Sequence, residues 1–305
     1  MFFRNLTLFR FPASTGKSLT ELENLLDRQR LRDCGPLELA TRGFVSPFGR
    51  DSEELVHRLG EYALLTVGAE ERLLPSVVVN EALAERVAKL AESEGRRVGG
   101  RERKRLKEEV ISELMPRAFI RPSRRSAYLD GDRGWLVVDS ASRKAAEDVV
   151  SQVREALGRF PATPMAPKES PRALMTQWLI SGKLPGGLTL DDECELRDPA
   201  EAGAVVRCRR QDLESDEVRE HLKAGKQVYQ LGLVYDERMR FVLGEDLVLR
   251  KLRFLDLVLD ELDEDSMESA RAELDARFAL MTAELRHLFE RLDQWFGLPR
   301  PGEGE

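Results

Sequence analysis

The sequence predicts an α+β protein with mixed or antiparallel sheets, long helices and two to three subdomains. Short segments that alternate apolar and polar residues are typical of half-buried strands, and longer segments repeat apolar residues every three or four positions, as helices do. The chain has 305 residues, enough for more than one hydrophobic core. Four prolines within residues 160–171 predict a boundary between region 1–160, which contains a basic helical segment over 75–125, and region 161–305.

The elements of the N-terminal region follow from local patterns. Residues 2–11 alternate well enough to predict a strand. Ser18, with Glu21 three positions later, forms a capping box that predicts a helix over 18–30. The remaining patterns predict a loop over 43–49, a strand over 62–67, a long helix from about Pro75, a helix over 101–114, a hairpin over 127–138 and a helix over 142–157.

The C-terminal region is predicted to be mainly strands followed by one long helix. The patterns predict a short helix around Trp178, a turn at Gly186 and Gly187, and strands over 203–210, 226–235, 239–243 and 247–252. The last element is a helix over about 266–296, whose apolar residues recur in steps of three and four. Such a stripe predicts packing in a core or against another subunit.

Composition and cysteine usage argue against several classes. No apolar run approaches the roughly 20 residues that a membrane-spanning helix needs. The N-terminus does not have the pattern of a signal peptide, so we expect a cytoplasmic protein without a membrane partner. The three cysteines, Cys34, Cys194 and Cys208, are far apart in the sequence, and none has a Cys or His at metal-ligand spacing. We therefore expect reduced thiols and no metal site.

Charge is distributed unevenly along the chain. Residues 96–125 contain eleven Lys or Arg and four Glu, whereas the rest of the chain contains 37 basic and 51 acidic residues. Because salt screens charges beyond about 8–10 Å, a ligand responds to the local patch and not to the net charge of −7. A basic segment with an aromatic residue and a proline indicates a nucleic-acid partner.

Two groups of residues are candidates for this contact. In segment 96–125, Lys104 and Arg105 have Glu partners four positions later, as on a solvated helix face. We expect phosphate contacts from the arginines that have few local acids, which are Arg96, Arg97, Arg117, Arg121, Arg124 and Arg125. Phe119 is either an exposed ring that contacts nucleic acid or a plain core residue. In the second group, Arg207 and Arg209 share one strand face, and Arg210 and Gln211 lie at the strand exit.

Enzymatic alternatives have weaker support from the sequence. Residues 11–18 (FPASTGKS) approach a phosphate-binding loop that would use Lys17, but Phe11 stands where the loop needs its first glycine. A metal-dependent nuclease could use Asp130, Asp132 and Asp139, although their spacing matches no signature. A nuclease and an NTPase are therefore kept as alternatives.

Several sequence blocks resemble the RdgC family of bacterial recombination-associated proteins. They occur in order along essentially the whole chain, at 43–47 (GFVSP), 74–76 (LPS), 114–119 (LMPRAF), 209–213 (RRQDL), 224–226 (AGK) and 281–285 (MTAEL). The resemblance implies a homodimer that closes into a ring, with a positive inner surface around double-stranded DNA. It also implies binding without sequence preference, no catalysis, no cofactor and an association with the nucleoid.

The resemblance further implies a role in limiting RecA-dependent recombination, by occupying DNA that RecA needs, and a role in replication-fork repair. Carried over by position, the DNA contacts would be Phe119, Arg210 and Gln211, while Arg96 and Arg97 match a basic pair at the end of the long helix. Arginine replaces the expected lysine at some basic positions, and FPASTGKS is not part of the family pattern. Two points stay open: whether single-stranded DNA is also bound, and whether the acidic C-terminal helix contacts RecA directly.

Overall fold

The computed structural model describes residues 2–16, 21–200, 203–262 and 269–301. In the N-terminal region the elements are β1 (Leu6–Arg10), α1 (Ala13–Gly16), α2 (Leu22–Asp27), β2 (Ala40–Val45), β3 (Val56–Leu59), β4 (Tyr62–Leu73), α3 (Ser76–Glu94), α4 (Gly100–Leu114), a 3₁₀ turn (Met115–Arg117), β5 (Phe119–Asp130), β6 (Trp135–Asp139) and α5 (Arg143–Leu157). In the C-terminal region they are β7 (Thr163–Pro164), α6 (Pro171–Ser181), β8 (Leu188–Arg197), β9 (Val205–Arg209), α7 (Asp216–Lys223), β10 (Gln227–Tyr235), β11 (Met239–Gly244), β12 (Leu249–Phe254), α8 (Asp256–Leu259) and α9 (Ala270–Phe296).

Twelve strands of the described chain form one sheet, which confirms the α+β class with a large antiparallel sheet. The strand order is β2-β4-β5-β6-β1-β12-β11-β10-β8-β9, with β3 paired to β4 and β7 paired to β1. The first strand pairs with β6 along its length and with β12 at Leu6 and Leu249. Strands from both sides of residue 160 therefore belong to the same sheet, while the division into two regions stays a prediction.

Two hydrophobic clusters lie on opposite faces of this sheet. Because side chains alternate along a strand, β1 contributes Leu6 and Leu8 to one cluster and Phe9 to the other. The first cluster, called the α9 core, packs against α6, α7 and α9. The second, called the α5 core, packs against α2 and α5 and covers only the N-terminal strands. The α9 core is continuous across the two halves, since Leu6 and its partner Leu249 both belong to it.

The two long core helices have well-defined ends. In α9 the Ser269 hydroxyl accepts a hydrogen bond from the Ala272 amide at 3.1 Å, and the helix ends at Gly297 with φ of 59°. In α5 the Ser142 hydroxyl accepts from the Ala145 amide at 3.3 Å. The apolar stripe predicted for the last helix is confirmed as core packing over the described part of that helix, with Phe278, Met281, Leu285 and Leu288 buried. Its predicted start at 266, and the Ser18 cap of the helix predicted over 18–30, lie outside the described residues.

Several predicted boundaries were wrong. The predicted loop over 43–49 begins as the end of β2, and the helix predicted over 18–30 is α2, which ends at Asp27. Strand β5 begins at Phe119 instead of 127, and β4 extends to Leu73 instead of 67. The structure also contains β3, β8 and α7, which the sequence patterns did not predict. The extra length of β4 and β5 forms the β4–β5 arm, residues 66–73 and 119–126, which are paired to one another throughout.

Candidate nucleic-acid interface

The C-terminal strands expose the sheet face opposite the α9 core. Cys208, Phe241 and Phe254 belong to the α9 core, so their strand neighbours Arg209, Arg240 and Arg253 project to the other face. A depression of about 440 Å³ on this face is lined by five basic residues, called the basic wall, which are Arg209, Arg210, Arg240, Lys251 and Arg253. Three acidic residues, Asp191, Asp192 and Glu193, also line it, so basic residues are in excess.

The basic wall is concave. Lys251 on β12 forms an ion pair with Glu193 on β8, although β11 and β10 lie between these strands. Arg240 on β11 reaches Asp191 on β8 at 2.8 Å across β10. In a flat sheet, neighbouring strands lie about 4.8 Å apart, so Lys251 and Glu193 would be separated by about 14 Å, which two fully extended side chains would barely span. The contact between them and the depression on this face indicate that the strands curl towards the basic wall. Gly232 on β10 permits this close approach, because a Cβ there would lie 2.9 Å from the Glu193 carbonyl oxygen.

The basic wall contains both paired and unpaired cations. Arg240 and Lys251 have the acidic partners just described. Arg209, Arg210 and Arg253 are exposed, and none of them forms an ion pair with another described residue. Arg210 adopts a left-handed backbone with φ of 54°, which turns the chain where β9 ends. Three guanidinium groups are therefore available to an external anion within one depression.

A buried carboxylate supports the edge of the basic wall. Glu195 accepts hydrogen bonds from Arg197 and Arg207, each at 2.7 Å. Burial alone would raise the pKa of Glu195, but the hydrogen bonds from Arg207 and Arg197 outweigh it and hold the pKa below its ordinary value. Arg207 is therefore held by an ion pair with Glu195, although its side chain is largely exposed. Gln211 is engaged too, because its side-chain amide donates to Glu217.

The β4–β5 arm carries part of the first candidate group on the same sheet face. Arg125 lies opposite Val67, a residue of the α5 core, so both project to the α5 side. Phe119 and Arg121, at even spacings from Arg125, project to that side as well. Because the α9 core occupies the other face in both halves, the α5 side and the basic wall are one face of the sheet.

The candidate DNA-binding residues of the β4–β5 arm differ in the contacts that they make within the protein. Arg121 forms an ion pair at 2.5 Å with Glu71, its cross-strand neighbour. Arg124 projects to the opposite face and donates to the Ser46 carbonyl oxygen. Arg125 forms no ion pair with another described residue. The interpretation of Phe119 as a core residue is wrong, because 83% of the residue is exposed.

The α3–α4 hairpin places the remaining candidates apart from one another. Arg96 donates two hydrogen bonds to Glu102, at 2.8 and 2.9 Å, and also pairs with Glu94, so the expectation of few nearby acids was wrong for Arg96. The hydrogen bonds from Arg96 lower the pKa of Glu102. Arg97 and Arg117 are exposed and unpaired within the described chain, but α4 separates them by about 22 Å.

The structure thus joins Arg209 and Arg210 with three residues that the sequence analysis missed. Arg240 and Lys251 lie on strands that were predicted over 239–243 and 247–252, whereas Arg253 lies one residue beyond the predicted end of the second strand, which in the structure is β12. The available signal was alternation, since Arg253 stands between the apolar residues Leu252 and Phe254. The sequence did not show which strands are close together in the sheet, so it could not bring residues of β8, β11 and β12 to one surface.

The candidate enzymatic residues have structural contacts. Phe11 is fully buried and its ring packs against Phe160 with centroids 5.2 Å apart, while Lys17 and Ser18 lie outside the described residues. Asp139 accepts hydrogen bonds from the Arg4 and Asn5 amides, both at 3.0 Å. Within the described ranges, no three His, Cys, Asp or Glu side chains are grouped to hold a metal ion, and no helix is long and apolar enough to span a bilayer.

The fold and site define an α+β protein whose antiparallel sheet carries a concave basic face. A family model described as "Putative exonuclease, RdgC" matches residues 1–298. The chain is 53% identical over 294 residues to Recombination-associated protein RdgC of Xanthomonas campestris pv. campestris (strain B100), covering 96% of this chain and 97% of that protein. It is 48% identical over 301 residues to the protein of the same name from Stenotrophomonas maltophilia (strain R551-3), covering 98% and 99%. The chain belongs to the RdgC family, which confirms the resemblance found in the sequence.

Proposed function

We propose that this protein binds double-stranded DNA without sequence preference, through backbone phosphates held by the basic wall. The names of its relatives support a role in recombination. In the proposed role, two copies close into a ring around the duplex, limit RecA-dependent recombination by occupying DNA, and act in replication-fork repair. The observation that carries the proposal is the concave sheet face on which Arg209, Arg210 and Arg253 form no ion pair with another described residue.

Physical chemistry favours phosphate over bases as the ligand of this surface. A duplex carries one negative charge per about 1.7 Å of its axis, so any concave basic face that it enters meets several phosphates. Arginine binds phosphate with two parallel hydrogen bonds, and three unpaired arginines can do so without first losing an internal ion pair. The described residues of the basic wall belong to strands and to the turn after β9, and none of them lies on an α-helix that could insert into a groove.

The candidates from the sequence contribute unequally to this proposal. Arg97, Arg117, Arg125, Arg209 and Arg210 are the strongest, because their cations are exposed or half-exposed and have no acidic partner among the described residues. Arg96, Arg121 and Gln211 would first have to leave Glu102, Glu71 and Glu217. Arg124 faces the other side of the sheet, and Phe119 offers an exposed ring for stacking or for contact with a second copy.

A salt titration of a double variant tests the phosphate contacts. Removing both Arg209 and Arg253 by substitution with Ala should weaken binding to short duplexes of unrelated sequence by the same factor. The slope of log K against log salt should become less negative by roughly 2, about 1 for each lost phosphate contact. Arg219→Ala is the matched control, since this exposed arginine lies on α7, on the α9 side of the sheet. An unchanged slope, or a loss confined to some sequences, would contradict the proposal.

Assembly and antagonism need their own measurements. Native mass spectrometry with and without a short duplex should give a dimer, with one duplex per dimer. Inhibition of RecA strand exchange should be relieved by excess competitor duplex. Inhibition that persists in excess DNA would instead support direct contact with RecA, and degradation of DNA in the presence of Mg²⁺ would support the nuclease alternative.

A further inference from the structure

Two of the three cysteines face each other across neighbouring strands. Cys194 on β8 lies directly opposite Cys208 on β9. These two cysteines are far apart in the sequence, but the fold makes them neighbours. Both thiols are free and buried in the α9 core, at 4% and 7% exposure. Directly opposite residues of antiparallel strands have Cα atoms about 4.5–5.5 Å apart, within the span of roughly 4.4–6.8 Å that a disulfide bridges.

We propose that Cys194 and Cys208 are a redox pair, which a peroxide oxidises to a disulfide that locks β9 to β8. The position of β9 supports this inference, because among the described strands it is the last of the sheet and pairs with β8 alone. Strand β8 is held on both sides, by β9 and β10. The edge strand opens more readily than an inner strand, so an oxidant reaches Cys208 before Cys194.

The chemistry balances with hydrogen peroxide as the oxidant. The Cys208 sulfur attacks one peroxide oxygen, the O–O bond breaks, and the departing hydroxide takes the thiol proton as water, leaving a sulfenic acid. The Cys194 sulfur then attacks the Cys208 sulfur, the S–O bond breaks, and a second water leaves with the remaining thiol proton. Two thiols and one peroxide become one disulfide and two waters, and a dithiol reductant reverses the change.

The resting state of the pair is the dithiol. Burial, together with the neighbouring Cys208, raises the pKa of the Cys194 thiol, so it stays protonated while the sheet is closed. Oxidation therefore depends on opening of β9. Because β9 ends at Arg209 and Arg210 follows directly, a disulfide would fix the edge of the basic wall. Formation of the bond can be measured on the protein alone, so it does not depend on the proposed DNA binding.

The test is oxidation of the native wild-type protein followed by peptide mass mapping without reduction. The expected product is a linked Cys194–Cys208 peptide that has lost two hydrogens, with Cys34 still a free thiol. Cys34 is an internal comparison, since it is similarly buried at 6% but has no cysteine opposite it, its thiol donating to the Glu38 carbonyl oxygen. Hydrogen exchange of β9 amides should slow by on the order of tenfold in the oxidised protein and recover after reduction.

Two variants complete the test. Cys34→Ser should give the same linked peptide as wild type, and Cys208→Ser should give none. The proposal is overturned if Cys208 proceeds to sulfinic acid while Cys194 stays free, if Cys34 oxidises before the pair, or if the linkage joins two chains. The mapping of wild-type protein decides the matter even if Cys208→Ser fails to fold.

Discussion

At the residue scale, a partly buried carboxylate in this protein holds backbone amides of the N-terminal segment. Asp139, at the end of β6, accepts hydrogen bonds from the Arg4 and Asn5 amides at the start of the chain. Burial raises the pKa of Asp139, and the two amide hydrogen bonds only partly oppose that effect. Between the ordinary pKa and the raised one, the unfolded chain is ionised while the folded protein keeps its proton. The contribution of Asp139 to the free energy of unfolding therefore decreases as pH rises through that window.

Asp139→Asn should separate the charge from the hydrogen bonds. The asparagine oxygen can accept from the same amides but cannot ionise, so the variant should gain stability relative to wild type as pH rises from below the ordinary aspartate pKa to neutral. Asp139→Ala removes the acceptor and should lower the free energy of unfolding by about 1–3 kcal/mol at every pH. Urea titrations at several pH values measure both effects. A stability difference between Asp139→Asn and wild type that falls with rising pH would contradict the assignment.

The residues of the basic wall show what the sequence could predict of the site. Clustering along the chain was enough to single out Arg209 and Arg210. It could not find Arg253 or Lys251, because they approach β8 and β9 only through the curl of the sheet. Nor could it show that Arg96 is held by Glu102, since that pairing depends on the geometry of the turn between α3 and α4.

At the element scale, the α3–α4 hairpin and the β4–β5 arm project from the two cores. The buried apolar residues of the hairpin belong to neither core, and they are Val79, Leu83, Leu106, Val110 and Met115. The periodicity of α3 and α4 was visible in the sequence because each helix buries a stripe against the other. The arm half of β5 was not predicted, because apolar alternation arises only where a strand packs on a core, and residues 119–125 pack on none.

This arrangement predicts that the hairpin unfolds separately from the sheet. Leu106→Ala should lower the free energy of unfolding of the hairpin by about 2–5 kcal/mol. This loss is large for a two-helix unit that does not pack on either core. Hydrogen exchange over 76–114 should accelerate strongly while the main thermal transition changes little. Leu136→Ala is the control, since this fully buried residue of β6 belongs to the α5 core and its loss should lower the main transition. A uniform loss of protection in the Leu106 variant would mean that the hairpin is part of the global unit.

At the scale of the whole molecule, the fold explains how a protein with a net charge of −7 can present a cationic surface. Helices α6, α7 and α9 pack on the α9 side of both halves of the sheet, and α2 with α5 cover the other side of the N-terminal strands. The basic wall lies on the C-terminal part of this second side, which neither α2 nor α5 covers. A single concave wall can contact a DNA duplex over only part of its circumference. In the proposed ring, the walls of two copies face each other and together surround the duplex.

A closed ring predicts that the lifetime of the complex depends on the topology of the DNA. On a linear duplex the protein can leave by sliding off an end, whereas on a closed circle it can leave only when an interface between the two copies opens. After a rise in salt, which weakens the phosphate contacts, the complex should therefore persist longer on a circular plasmid than on the same plasmid cut once. Single-molecule or pull-down measurements of the retained fraction over time report this difference.

Blocking the ends of the linear DNA provides the control. A bulky protein bound at each end of the cut plasmid should restore the long lifetime, because sliding is prevented while sequence, length and charge are unchanged. Arg209→Ala with Arg253→Ala should lower affinity for all three DNA forms but keep their order of lifetimes, since the topological barrier comes from the interface and not from the wall. Equal lifetimes on circular, cut and end-blocked DNA would show that the protein binds the duplex from one side, without encircling it.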